Sequence, residues 1–187
     1  MAIATLTIYE AARKLKKGQV IAYPTEAVYG LGCDPFNHSA VMRLLEIKQR
    51  PVSAGLILIA DDFSRFADII APVDRGLIEQ TRETWPGPVT WLFPKSEQLP
   101  TWISGRHDSV ALRVTDHPGC RKLCHAFGGA IVSTSANLRG KKPATSLAEF
   151  NGPLGDSVDG VVEGELGGRE NPSEIRDVLT GKVLRSG

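Results

Sequence analysis

Apolar residues recur along this chain at two different periods. Ile8, Ala11, Ala12 and Leu15 lie three and four positions apart with Gly18 following, which predicts a first helix over residues 7–17 ending at a glycine cap. A strand over 20–23 comes next. Pro24-Thr25-Glu26-Ala27-Val28-Tyr29-Gly30-Leu31-Gly32, with its proline and two glycines, predicts a shaped loop leaving the strand's C-terminal end. Asn37 can cap a second helix with the apolar face Val41, Leu44, Leu45 and Ile47, running up to Lys48. Leu56-Ile57-Leu58-Ile59-Ala60 is short and uniformly apolar, the pattern of a strand covered on both faces.

Farther along, Asp61 or Asp62 is expected to start a short helix through Ile70, and Pro72 another reaching Thr84. Trp85-Pro86-Gly87-Pro88 leads rigidly into a strand over 89–93. Residues 100–108 are expected as loop, 109–114 as strand, 117–127 as a helix stopped by Gly128 and Gly129, and 130–133 as strand. Thr145 or Ser146 can cap a short helix, 160–162 favours β structure, and Val183-Leu184-Arg185 forms a last strand. Strands alternating with helices, without a repeat or linker-like stretch, imply an α/β protein with a mixed sheet and one domain over residues 1–187. The order of the strands is not legible from this pattern.

A hydrophobic fraction of 42% and a charged fraction of 23% are those of an ordinary globular protein. No apolar run approaches the ~20 residues that cross a bilayer, and no signal core follows Met1, so a cytoplasmic protein without membrane contact is expected. The formal net charge of +1 gives no global attraction to nucleic acid, which leaves any anionic ligand to a local cluster. Three widely spaced cysteines suggest reduced thiols. His117, Cys120, Cys124 and His125 crowd together without the second pair a zinc site needs, and Cys120, Leu123, Cys124 and Phe127 read better as a helix's buried face.

Candidate chemistry centres on Lys48-Gln49-Arg50-Pro51, two cations at a helix end. Complementing the helix dipole, worth about 0.3–1 kcal/mol each, accounts for them taken alone. A second stretch, Ser133-Thr134-Ser135-Ala136-Asn137, supplies hydroxyl and amide groups at a strand end; these are also ordinary turn formers. Together they offer converging cations and donors of the kind a nucleotide phosphate needs. Neither G-x-x-x-x-G-K-[ST] nor G-x-G-x-x-G is present, and G-x-S-x-G is missing, so P-loop, dinucleotide-binding and α/β-hydrolase readings lack support.

Five stretches then occur in an order that resembles the YrdC/TsaC family. They are the segment from Pro24 to Gly32, Lys48-Gln49-Arg50-Pro51, Trp85-Pro86-Gly87-Pro88-Val89-Thr90, Ser133-Thr134-Ser135-Ala136-Asn137 and Asn171-Pro172-Ser173-Glu174-Ile175-Arg176-Asp177. The resemblance covers residues 8–187 and implies a twisted, mixed sheet flanked by helices around a basic central cavity. It implies conversion of L-threonine, bicarbonate and ATP into threonylcarbamoyl-AMP and pyrophosphate, with Mg2+ accompanying ATP. The product would supply N6-threonylcarbamoyladenosine (t6A) at position 37 of tRNA, with downstream t6A transferase proteins as partners and direct tRNA or RNA contact an open possibility.

By the same resemblance, Lys48 and Arg50 are the catalytic cations facing the threonine carboxylate and the ATP phosphates. Thr25, Arg113 and Ser173 are expected at threonine, and Thr90, Ser135, Asn137, Thr145 and Arg185 at ATP. Longer relatives carry Asn-Pro where Ala54-Gly55 stands and a histidine near Ile59, so contacts there must be rebuilt, and the end soon after Arg185 resembles the family's short form. The alternatives are a double-stranded RNA-binding ribosome maturation factor using Arg139, Lys141, Lys142 and Arg169, a structural relative with a disabled site, or a different carbamoyl transferase.

Overall fold

The structure, a computed structural model, describes residues 3–187. Ten strands form one mixed sheet in the order β1-β8-β2-β3-β7-β4-β6-β5-β9-β10. In chain order they are β1 Thr5–Leu6, β2 Ile21–Pro24, β3 Tyr29–Gly32, β4 Ile57–Ala60, β5 Val89–Pro94, β6 Ser109–Val114, β7 Ile131–Ser135, β8 Val161–Val162, β9 Glu174–Asp177 and β10 Val183–Arg185. Neighbours β1/β8, β2/β8, β4/β6 and β5/β9 run parallel and the remaining pairs antiparallel.

The helices are α1 Ile8–Lys16, α2 His38–Lys48, α3 Arg75–Thr81, α4 Thr101–Ser104, α5 Pro118–Phe127 and α6 Pro153–Asp156. Thr7 and Glu10 close a capping box at the start of α1, and Asn37 accepts from Ala40 N at the start of α2. The period-2 alternation of the strands sorts the core onto two faces. Val20, Ala22, Leu58 and Ala60 pack with Val41, Leu44 and Leu45 of α2, while Ile21, Tyr23 and Ile59 pack with Ala11, Ala12 and Leu15 of α1 and Cys120, Leu123 and Cys124 of α5. Burial holds the Cys120 and Cys124 thiols well above their ordinary range, which suits a packing role rather than a reactive one.

Several boundaries differ from the sequence pattern. The expected loop from Pro24 to Gly32 is a β-hairpin: only the turn around Thr25 to Val28 is irregular, and Tyr29–Gly32 pairs with both β2 and β7. Its glycines record close approach rather than a turn, since a Cβ on Gly32 would lie 2.6 Å from Val132 O and 2.7 Å from Tyr23 Cε1. The helix expected through Ile70 is a 3-10 turn, Phe63–Phe66, capped by Asp62. The one expected from Pro72 begins at Arg75, where the Asp74 side chain caps Gly76 N. Residues 100–108, expected as loop, include α4, whose Ile103 and Ser104 are buried.

One strand matters most for the site. β7 joins the two halves of the sheet: Ile131, Val132 and Ser133 pair with β4, and Thr134 and Ser135 pair with β3. β7 thus lies between β3 and β4 with staggered registers, and backbone bonds from Val132 N to Cys33 O at 3.0 Å and from Ala136 N to Tyr29 O at 2.7 Å extend its contact with the β3 segment at both ends.

Candidate functional site

At the end of α2 the backbone closes without using the cations. Gln49 takes the left-handed conformation (φ 46°) as the helix's C-cap, and Arg50 N donates to Leu45 O. Both long side chains are thereby released. Lys48 Nζ reaches across to the end of β7, where it donates to Ser135 O at 2.7 Å, Asn137 O at 3.0 Å and Asn137 Oδ1 at 2.5 Å. Ser135 Oγ donates to the same Asn137 Oδ1 at 2.7 Å, and Asn137 Nδ2 donates to Lys141 O at 2.9 Å. Burial, and then the nearby charge of Arg50, pull the Lys48 amine down to about 8.

Arg50 turns the other way. Its guanidinium donates to Gly55 O at 2.9 Å and Ala54 O at 3.2 Å, which fixes the 3-10 turn Val52–Ala54 ahead of β4. Arg50 and Ser135 both line a cavity of about 510 Å³ whose wall also takes in Thr25, Arg113, Ser173 and Arg185. Four arginines, at 50, 113, 169 and 185, stand in that wall against one carboxylate, Glu26. A concavity of this sign and size suits an anionic small molecule.

Lys48, Thr90, Asn137 and Thr145 stand outside that wall. Lys48 and Asn137 are bound to each other directly rather than opposed across the cavity. Thr90 is fully buried on β5 with its Oγ1 3.0 Å from Ser173 Oγ, so it supports a wall residue from behind. Arg185 donates through Nη2 to Ser173 O at 2.6 Å, and burial followed by the charge of Arg113 lowers its pKa. Thr145 is exposed, and its Oγ1 donates to Glu149 Oε1 at 3.1 Å.

The sequence pattern gave no site role to Glu26 and named Arg169 only for the RNA-binding alternative, yet the cavity contains both. Glu26 was visible as a lone acid directly after a strand end, where ligands gather in open α/β sheets. Arg169 had no such signal, because only tertiary pairing brings its segment over the cavity: Gly167 N donates to Thr25 O at 3.0 Å and Arg169 N to Glu26 O at 2.9 Å. As for a metal, the cavity wall offers one carboxylate, and no group of three His, Cys, Asp or Glu side chains is placed to hold an ion among the described residues.

Comparison with known proteins gives the family. The Sua5/yciO/yrdC family model, described as "Telomere recombination", matches residues 13–187. The chain belongs to the Sua5/YciO/YrdC family. It is 50% identical over 185 residues to a Pseudomonas entomophila protein named threonylcarbamoyl-AMP synthase, covering 99% of this chain and 100% of that one. A Klebsiella pneumoniae protein of the same name is 53% identical over 184 residues, covering 96% of this chain and 95% of that protein. Among solved structures, P. abyssi Sua5 complexed with L-threonine superposes with a TM-score of 0.85 at 32% identity over 95% of this chain. The chain spans 53% of the length of that Sua5 chain.

Proposed function

We propose that this chain converts L-threonine, bicarbonate and ATP into threonylcarbamoyl-AMP and pyrophosphate, acting as a nucleotidyltransferase that supplies t6A formation in tRNA. The observation that carries the reading is the cavity itself, where the β2–β3 turn, the end of β7 and four arginines converge on one concavity. The full-length similarity to proteins named for this activity supports it.

In this reading the threonine amine bonds to the carbon of bicarbonate, water leaves, and an oxygen of the resulting carbamate attacks the α-phosphorus of ATP as pyrophosphate departs. No covalent bond to the protein is formed. The chain contributes position and charge: Arg113 holds the threonine carboxylate, with Thr25 and Ser173 beside it, and Arg50, Ser135 and Arg185 meet the nucleotide. Lys48, Asn137 and Thr90 act from behind the wall, by holding Ser135 and Ser173. Mg2+ arrives as part of the MgATP substrate, ligated by phosphate and water, which is the usual habit of this ion.

The proposal takes residues 1–187 as one domain acting in the cytoplasm, with the adenylate passed to t6A transferase proteins and tRNA. No described helix is long and apolar enough to cross a membrane. The double-stranded RNA reading is not favoured: of its four cations Arg169 lines the small-molecule cavity, and Arg139, Lys141 and Lys142 sit on a separate exposed segment outside it. The deciding experiment is pyrophosphate release from ATP in the absence of RNA. Release that requires both threonine and bicarbonate supports the proposal; release indifferent to threonine overturns it.

A further inference from the structure

Glu26 lines the cavity as one half of a buried ion pair, and no reaction step above uses it, although its partner Arg113 is placed at the threonine carboxylate. Glu26 and Arg113 are 4% and 8% exposed, and Arg113 Nη2 lies 3.2 Å from Glu26 Oε2. The pair is incompletely satisfied: Glu26 Oε2 and Arg113 Nε are both fully buried without a hydrogen-bond partner. A half-satisfied buried pair is costly to the fold, and such cost persists where it serves a function.

The surroundings of Glu26 show what it can do. Its Oε1 accepts from Thr115 Oγ1 at 2.6 Å, and Thr115 Oγ1 in turn accepts from His117 N at 3.2 Å, so the carboxylate is anchored beyond the end of β6. Its backbone carbonyl accepts from Arg169 N, and a Cβ on Gly167 would lie 2.8 Å from Glu26 Cα, so the overlying segment leaves it no room to move. Arg113, by contrast, has no anchor of comparable rigidity: its contact with Glu26 is the one ion pair it makes among the described residues.

We infer that Glu26 is a positioning residue for the amino-acid substrate. Anchored by Thr115, it fixes the Arg113 guanidinium with one edge against itself and the other open to the cavity, as a preformed receptor for a carboxylate. Resting on the function proposed above, this makes Glu26 a determinant of threonine affinity through Arg113, with no contact to the reacting atoms. The competing role, in which Glu26 merely offsets the charge of Arg113, predicts the opposite sign, since removing a nearby anion would tighten carboxylate binding.

The test is calorimetric titration of L-threonine into the wild-type chain and the Glu26→Gln, Glu26→Asp and Thr115→Val variants, alongside their pyrophosphate release. Glu26→Gln is expected to weaken threonine binding and raise its KM about tenfold, the equivalent of roughly 1.4 kcal/mol, with the KM for ATP unchanged. Glu26→Asp keeps the charge and should recover part of the loss. Thr115→Val, which leaves the carboxylate in place and removes its anchor, should reproduce the loss. Combining Glu26→Gln with Arg113→Lys should cost no more than Arg113→Lys alone, because both act through one guanidinium. Unchanged or tighter threonine binding by Glu26→Gln, or additive losses in the double variant, would overturn the inference. Threonine binding by a wild-type chain that releases no pyrophosphate would refute the reaction and leave the titrations to decide the role of Glu26.

Discussion

Lys48 Nζ donates to Asn137 Oδ1 at 2.5 Å and to Ser135 O at 2.7 Å, which ties the end of α2 to the end of β7 through one ammonium. Acceptors spread over Ser135 and Asn137 suit the compact ammonium of lysine, whose donors can splay, better than the flat fork of arginine. Lys48→Ala removes the ammonium that gathers Ser135 O, Asn137 O and Asn137 Oδ1, leaving Ser135 O and Asn137 Oδ1 with only the local donors Asn137 N and Ser135 Oγ. Pyrophosphate release should fall by about 100-fold or more, the scale seen when a preorganised polar group is removed, while far-ultraviolet circular dichroism stays that of the wild type. Retention of full activity would refute this.

The pH dependence follows from the same amine. With the Lys48 pKa drawn down to about 8 by burial, its charge is present below that value and lost as pH rises through it. Activity should therefore decline on the alkaline side near pH 8. Lys48→Arg, weaker overall, should lack that decline because guanidinium stays charged. For stability the sign is reversed. Between about 8 and the ordinary 10.5 the unfolded chain binds a proton that the folded chain does not, so this group's contribution favours folding increasingly with pH across that window. Urea melts of wild type and Lys48→Met at pH 7 and 10 measure it.

Arg185 stands at the cavity mouth on an exposed edge strand, held by Ser173. Arg185→Ala should raise the KM for ATP roughly tenfold, the scale of a hydrogen bond to a charged group, with no change in thermal midpoint. Thr145→Ala is the contrast. Its hydroxyl is spent on Glu149 outside the cavity wall, so the KM for ATP should stay within about twofold of wild type, as for other surface replacements. A large effect at Thr145 would show that this segment moves over the nucleotide.

Gly32→Ala tests the hairpin. The added methyl meets both a backbone carbonyl and the ring of Tyr23, which is fully enclosed, so relief requires the sheet to shift. A loss of about 2 kcal/mol is expected from overpacking, or a midpoint lowered by about 2–4 °C for each kcal/mol at this chain length. A thermal melt reads it directly.

Much of the fold was legible because its elements obey local rules. The Thr7 and Asn37 caps, the glycine after α5 and the uniformly apolar β4 each carry their signal within a few residues. The glycine-rich segment after Pro24 was misread as loop because local propensity cannot distinguish a glycine needed for a turn from one needed for close approach between strands. Lys48, Arg50 and Ser135 were visible as candidates, since cations at a helix end and hydroxyls at a strand end keep their chemistry wherever they are placed. Their division of labour was not. That Lys48 is bound behind the wall while Arg50 faces the cavity depends on the end of β7 lying beside the end of α2, and that Glu26 meets Arg113 depends on the end of β6 lying near the β2–β3 turn. The sequence alone determined which side chains could bind an anion; the tertiary structure decided which of them face one, because sheet order is set by pairing between residues far apart in the chain, such as Gly30 with Ser135 and Ile57 with Ser133.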